Sequence, residues 1–366
     1  MTFAYENKIK YKKLFSIQLF KKKFKLILSI TLDNKIGGIA TSLISYSKAL
    51  NIINEEHWVV LPDNAAVIKD IEKIANVRLV KIKKPLLKFH VYTKFFFNSE
   101  IRNVINKCNW VFLHNSKLVK HFSYYHKKTG LINHSGKLRN TFHSACNIFI
   151  TSEGLNRFLK KYPNNNSKNI VISHGFENKV TRDTFSEIRD GSLRVMSGGR
   201  FVEKKGFKDI IEAARLLQNM QSKIQIKLYG SGQLESEFSL MIKSYQLSNI
   251  VLPGWVSSLD EAFLESDVFC IPSLEEPFGL IIGEAMMYGL PIISTKTDGA
   301  LELFGNKPEE KGGMLVDFSS PQQLADAMIA MEDNVFRKKV AINAKENIQT
   351  NFSLEKLSKD LKNLFR

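Results

Sequence analysis

Residues Leu193–Met220 read LRVMSGGRFVEKKGFKDIIEAARLLQNM, and this stretch decides how the chain is organised. A short apolar strand runs into a Gly-Gly-Arg loop. A helix follows, with Ile210, Ile211, Ala214 and Leu217 at helical spacing. The same grammar occurs earlier, at residues 25–50, KLILSITLDNKIGGIATSLISYSKAL, as a strand, a Gly-Gly turn and a helix carrying Ile39, Leu43, Ile44 and Leu50. Short apolar runs continue from each start: HWVVL, VRLVKI, CNWVFLHN, TGLINHS, CNIFITS and IVISHGFE in the first half, IQIKLYGSG, IVLPGWV, DVFCIPS and PIIST in the second. Strands alternating with helices predict parallel sheets covered on both faces. The polar spacer KKYPNNNSKN and the acid-rich NKVTRDTFSEIRDGS put a boundary near residues 175–190. The fold class is therefore α/β, with two Rossmann-like domains, 1–180 and 181–350, and a closing helix within 351–366. Facing domains of this kind make a cleft lined by loops at the carboxyl ends of the strands.

With 366 residues and 44% hydrophobic content, the chain can bury a sizeable core in two domains. Cys108, Cys146 and Cys270 lie far apart, without metal-ligand spacing or an even count for a disulfide framework, which points to a reducing cytoplasm. The lysine-rich start lacks the long apolar core and small-residue cleavage site of a secretory signal. No run reaches the ~18 apolar residues of a membrane-spanning helix. The net charge of +17 is unevenly spread. Residues 1–175 hold 30 Lys+Arg against 9 Asp+Glu, whereas residues 176–366 hold 23 against 27. Such asymmetry implies an anionic partner met by the first domain alone.

Four motifs carry candidate chemistry. In SGGRFVEKKG, glycines 198, 199 and 206 allow close backbone approach, and Arg200 and Lys205 add charges suited to a diphosphate at a helix start. A solvated basic turn would look the same. Gly230 and Gly232 in YGSG, and Gly37 and Gly38 in IGGIAT, can lie against phosphate or sugar, or be ordinary turns. The fourth motif, residues 275–295, is EEPFGLIIGEAMMYGLPIIST. Its Glu276 sits in the loop after a strand, and Glu284 lies ~1.5 turns into the helix that follows. Ionised carboxylates are costly to bury unpaired, and each can accept two hydrogen bonds from the vicinal hydroxyls of a sugar or ribose. The bland alternative is surface charge at Glu275 and Glu276, and a helix acid favoured by the dipole at Glu284.

On these motifs the chain resembles the retaining glycosyltransferases of family four, which have the GT-B fold. The Glu-x7-Glu pattern is matched by Glu276 and Glu284, and the Gly-Arg-x4-Lys-Gly pattern by Arg200 and Lys205. YGSG, LPGWV, SDVFCIPS and TDGALELF follow the family in order, from about residue 193 to 330. The first half matches through GGIATSLISYSKAL, ACNIFITSEGL and IVISHGFE, with His174 where the family often has Asn. The resemblance implies a nucleotide-sugar donor, most often UDP-linked, held by the second domain, and a C-terminal helix crossing back to the first. Arg200 and Lys205 would hold the diphosphate and stabilise it as the sugar leaves. Glu276 would contact the donor sugar and Glu284 the ribose. Backbone N–H groups around Phe278, Gly279 and Leu280 would add contacts, and the base would lie near Val256. A histidine on a loop of the first domain, His134 in preference to His114, would reach the donor sugar. His121, His126 and His143 read as surface or structural.

No two aspartates stand two residues apart, so there is no Asp-x-Asp metal site, and the fixed cations Arg200 and Lys205 are expected to serve without a metal or other cofactor. For retention, the resemblance implies front-face attack by the acceptor hydroxyl rather than an enzyme nucleophile. The basic extension at residues 1–25 has eight lysines, one acid and interleaved Leu14, Phe15, Ile17, Leu19, Phe20 and Phe24; KIKKPLLKFHVYTKFFF repeats the mixture. Such segments can lie on anionic membrane, at ~1 kcal/mol per basic residue. The expectation is a peripheral enzyme of the inner face of the plasma membrane, acting on a lipid-linked or lipopolysaccharide acceptor that is itself anionic. Organism-wide lysine usage is the plainer account of the charge. A nucleotide-sugar epimerase or hydrolase on the same fold is the nearer rival function. A binder of anionic polymer is the remoter one, and no nucleic-acid reading element is evident.

Overall fold

The computed structural model describes residues 25–35, 37–93, 99–134, 144–178 and 191–366. The extension at 1–25, save Lys25, lies outside the described residues, as do His143 and the 180/181 division.

Near-continuous apolar runs form the central strands, buried on both faces as a parallel sheet requires, while edge strands are partly exposed. The first sheet has β1 (Leu26–Ile30), β2 (Glu56–Pro62), β3 (Val77–Ile82), β4 (Trp110–Leu113), β5 (Thr129–Asn133), β6 (Cys146–Phe149) and β7 (Lys168–Val171), in the order β3-β2-β1-β4-β5-β6-β7. The second has β8 (Arg194–Gly198), β9 (Gln225–Tyr229), β10 (Ile250–Gly254), β11 (Val268–Ile271), β12 (Ile292–Thr295) and β13 (Gly313–Val316), in the order β10-β9-β8-β11-β12-β13. Every pairing in both sheets is parallel. Each sheet therefore reverses its winding once, between β1 and β4 and between β8 and β11. Those two points are where an open α/β sheet leaves a crevice for ligand.

The halves are tied together. The C-terminal helix Leu354–Leu364 starts on a Ser353 cap and returns to the first domain, where Ser358 Oγ donates to Ala49 O at 2.9 Å. Phe365 stacks on Phe112, with ring centres 6.2 Å apart. Phe176 N–H donates to Phe352 O at 2.7 Å. Arg157 grips Asp298 with two nitrogens, one contact at 2.6 Å, and Glu302 accepts from Ser152 N–H at 2.7 Å and Ser173 Oγ at 2.9 Å. All three cysteines are buried and unpaired. Among the described residues no helix is long and apolar enough to cross a membrane.

Candidate active site

Both winding reversals open onto one cleft of about 880 Å³. Leu32, Asp33 and Gly38 follow β1 there, His114 to Lys117 follow β4, Gly198 to Arg200 follow β8, and Glu275 to Ile281 follow β11. Of the residues singled out by sequence, Gly38, His134, Arg200, Lys205, Glu276, Phe278, Gly279 and Leu280 all line it.

The second-domain wall is built on close backbone packing. At Gly206 (φ 66°) an added Cβ would lie 2.0 Å from Pro272 O, so only glycine lets the turn after Lys205 press against the end of β11. Lys205 and Glu276, 14% and 12% exposed, form an ion pair across that junction. Ser273 Oγ donates to the same Glu276 oxygen at 3.0 Å. Arg200 is exposed in the cleft, and no ion pair to it is found among the described residues. Glu276 is also fixed through its backbone, whose carbonyl accepts from Gly299 N–H at 3.0 Å. Gly279, at φ 77°, turns the chain into the helix Leu280–Met287, whose first-turn N–H groups open at the cleft.

On the opposite wall, His114 and His134 occur as a unit. Their Nδ1 and Nε2 atoms are 3.1 Å apart and their rings are stacked at 5.2 Å. One ring must donate and the other accept, an arrangement two neutral imidazoles satisfy and two imidazoliums cannot. His174 stacks on His134 at 5.9 Å and meets Phe278 edge-on at 4.7 Å, so the stack spans both domains. Burial pushes His114 down to about 3 and His174 down to about 4, the neighbouring imidazole adding to the first. His134 is held well below the ordinary imidazole value by burial, then by its two neighbours. Among the described residues no three His, Cys, Asp or Glu side chains converge as metal ligands.

Four expected residues lie elsewhere. Glu284 is a full turn further along its helix than Leu280 and lines a separate cavity of about 140 Å³ with Thr41, Ser45 and Lys48 of the helix Gly38–Ile52. The two glutamates thus line different cavities. Gly230 lies beneath the wall: its Cβ would stand 1.9 Å from Gly199 O, so it supports the Arg200 loop rather than lining the cleft. Val256 follows the edge strand β10, two strands from the β8/β11 reversal, and packs against the core. Gly37 precedes the helix that Gly38 opens and does not itself line the cleft. Sequence reasoning gave no role in the cleft to Asp33, Lys84, Lys88, Asn115, Lys117, His174 or Lys204, which do line it. In the sequence Lys84 and Lys88 read as part of a membrane-facing basic segment, and His174 as a departure from Asn.

Residues 181–347 match the family model for glycosyl transferases, group 1. The match takes in the second domain, just under half of the chain, and shows what that domain is similar to. Among curated relatives, the putative colanic acid biosynthesis glycosyltransferase WcaL of Escherichia coli is 30% identical over 185 residues, 48% of this chain and 45% of WcaL. The lipopolysaccharide core biosynthesis glycosyltransferase LpsE of Rhizobium meliloti is 31% identical over 166 residues, 45% of this chain and 47% of LpsE. The matches thus span just under half of either relative. A solved structure of HepE from Anabaena, in complex with UDP and glucose, superposes with a TM-score of 0.71 over 92% of this chain and 98% of HepE, at 18% identity. That likeness shows the fold. The two Rossmann-like domains form the GT-B architecture.

Proposed function

We propose that this chain is a retaining hexosyltransferase that moves a sugar from a nucleotide-sugar, UDP-linked, to a hydroxyl of a saccharide in lipopolysaccharide or surface polysaccharide synthesis. The observation that carries the reading is the convergence of Arg200, Lys205 and Glu276 with the start of the helix Leu280–Met287 and His134 in one cleft between the two winding reversals. Fixed cations and helix N–H groups suit a diphosphate whose charge grows as the sugar departs. Lys205 and Ser273 both engage Oε1 of Glu276, which leaves its Oε2 for sugar hydroxyls. Ser273 keeps that carboxylate oriented. The UDP and glucose in HepE support the donor class, and the names of WcaL and LpsE support the pathway class.

Arg200 and Lys205 offer a diphosphate positive charge that a divalent ion would otherwise supply, so turnover is expected to survive chelation with EDTA. The direct test incubates the full chain with UDP-hexoses and bacterial saccharide fractions and follows the anomeric proton of the product by NMR. Transfer with the donor's anomeric configuration kept is the expected result. Free sugar or an epimerised donor without a glycoside would sink the reading and favour a hydrolase or epimerase. The basic extension at residues 1–25 fits a peripheral place on the inner face of the membrane. In a flotation assay, vesicles rich in anionic lipid should carry the full chain up the gradient and neutral vesicles should not; equal behaviour on both would remove the membrane assignment.

A further inference from the structure

The first-domain wall of the cleft is positive in a way that donor chemistry does not use. Lys84, Lys88 and Lys117 all line it. Lys84 and Lys88 are one turn apart on the helix Lys84–Thr93, hence on one face, and Lys117 lies just after β4. Lys84 is half-buried and aimed: its Nζ donates to Asn34 Oδ1 at 2.7 Å, while Asn34 O accepts from Ala66 N–H at 3.1 Å. Two ammonium protons of Lys84 stay available. Nearby surface lysines find carboxylates, as Lys81 does with Glu72 and Lys48 with Glu177. The three cleft lysines form no ion pair among the described residues. The wall's one carboxylate, Asp33, is engaged with the Asn115 side-chain amide at 3.1 Å. Like charges gathered on a concave wall repel one another and focus a field that draws an anion in.

We propose that the acceptor carries a phosphate group seated on Lys84, Lys88 and Lys117, beside the hydroxyl that receives the sugar. The inference rests on the donor reading above and names the acceptor's chemistry. A carboxylate offers two oxygens and a single charge, whereas a phosphate monoester offers three acceptor oxygens and about −1.5 to −2 charges, enough to engage ammonium groups from two separate elements. Ammonium groups bind phosphate as mobile point charges, so exposed Lys88 and Lys117 can close on it while Lys84 stays fixed. Arg200, Lys204 and Lys205 hold the other wall, so donor and acceptor anions would each meet their own cations.

The experiment uses the full chain saturated with the nucleoside diphosphate it binds most tightly, so that the donor site is filled. Titration calorimetry with sn-glycerol 3-phosphate and co-sedimentation with phosphatidylcholine vesicles containing phosphatidic acid form two arms. The expected result is binding in either arm that weakens at least about tenfold in the triple variant Lys84→Gln, Lys88→Gln, Lys117→Gln. It should persist in the corresponding triple arginine variant, with nucleotide affinity unchanged in both. Binding lost in the glutamine variant in both arms assigns the shared phosphate chemistry, and binding lost there to vesicles alone assigns a lipid headgroup as its source. The proposal is overturned if neither probe binds, if the glutamine variant binds as wild type does, or if added nucleotide displaces the probe. If wild type binds no nucleoside diphosphate, the donor reading fails, and this inference with it.

Discussion

Replacing Lys205 by Ala is expected to lower kcat for sugar transfer by roughly 10²–10³-fold, the size seen when one preorganised stabiliser of developing negative charge is removed. The same change leaves Glu276, 12% exposed, with Ser273 as its remaining side-chain partner. A nearly buried carboxylate that loses its cation destabilises the fold by roughly 1–3 kcal/mol. Two losses therefore occur together, and a single variant cannot apportion them. The double variant Lys205→Met, Glu276→Gln separates them by removing the pair as a unit. Its melting temperature should return toward wild type while transfer stays as low as in Lys205→Ala or falls further. Arg200 gives the complementary case, since its exposed guanidinium has no partner to strand: Arg200→Ala should reduce transfer without a change in melting temperature. Wild-type transfer rates in both Lys205→Ala and Arg200→Ala would remove the diphosphate assignment.

The strands that build the walls were legible because central strands of a parallel sheet need near-continuous apolar runs, as at β1, β4 and β11, and because β2 to β12 otherwise keep enough Val, Ile and Leu between turn signals to show. The exception was β13, whose four residues GMLV follow a glycine pair and carry too short a pattern to separate from loop. Arg200, Lys205 and Glu276 were legible as types of chemistry because glycines and charges cluster where strands end. Their mutual geometry was not, since the ion pair joins residues 71 positions apart. The choice between His114 and His134 had no sequence answer for a physical reason. They follow β4 and β5, neighbours in the sheet, so parallel pairing brings both to the same rim. Glu276 in a loop and Glu284 just over a turn into the following helix were both legible, but which cavity each side chain lines was not, because that depends on how the helix Leu280–Met287 sits against the helix Gly38–Ile52.

Acidification should destabilise the folded protein steeply, starting just below neutrality. His57, His114, His134 and His174 are all buried, and burial is the leading cause that depresses each imidazole. His57, whose Nε2 lies 2.8 Å from Ser29 Oγ, is pushed down to about 3, with His114 adding to the effect. In the unfolded chain each titrates near the ordinary imidazole value of about 6.5. Between that pH and about 4 the unfolded state therefore binds protons that the folded state refuses. Stability is complete above the unfolded pKa and is lost as pH falls below it. At pH ~5.5 the loss is about 1.4 kcal/mol per histidine, or about 5–6 kcal/mol for four, comparable with the total stability of a typical domain. Urea denaturation at pH ~7.5 and ~5.5 measures it, since the midpoint should fall sharply while the slope with denaturant stays constant. His174→Asn, which removes one of the four buried imidazoles, should shrink the pH effect by about one proton of four. A midpoint that does not move between the two pH values would mean that these imidazoles are solvated and protonate in place.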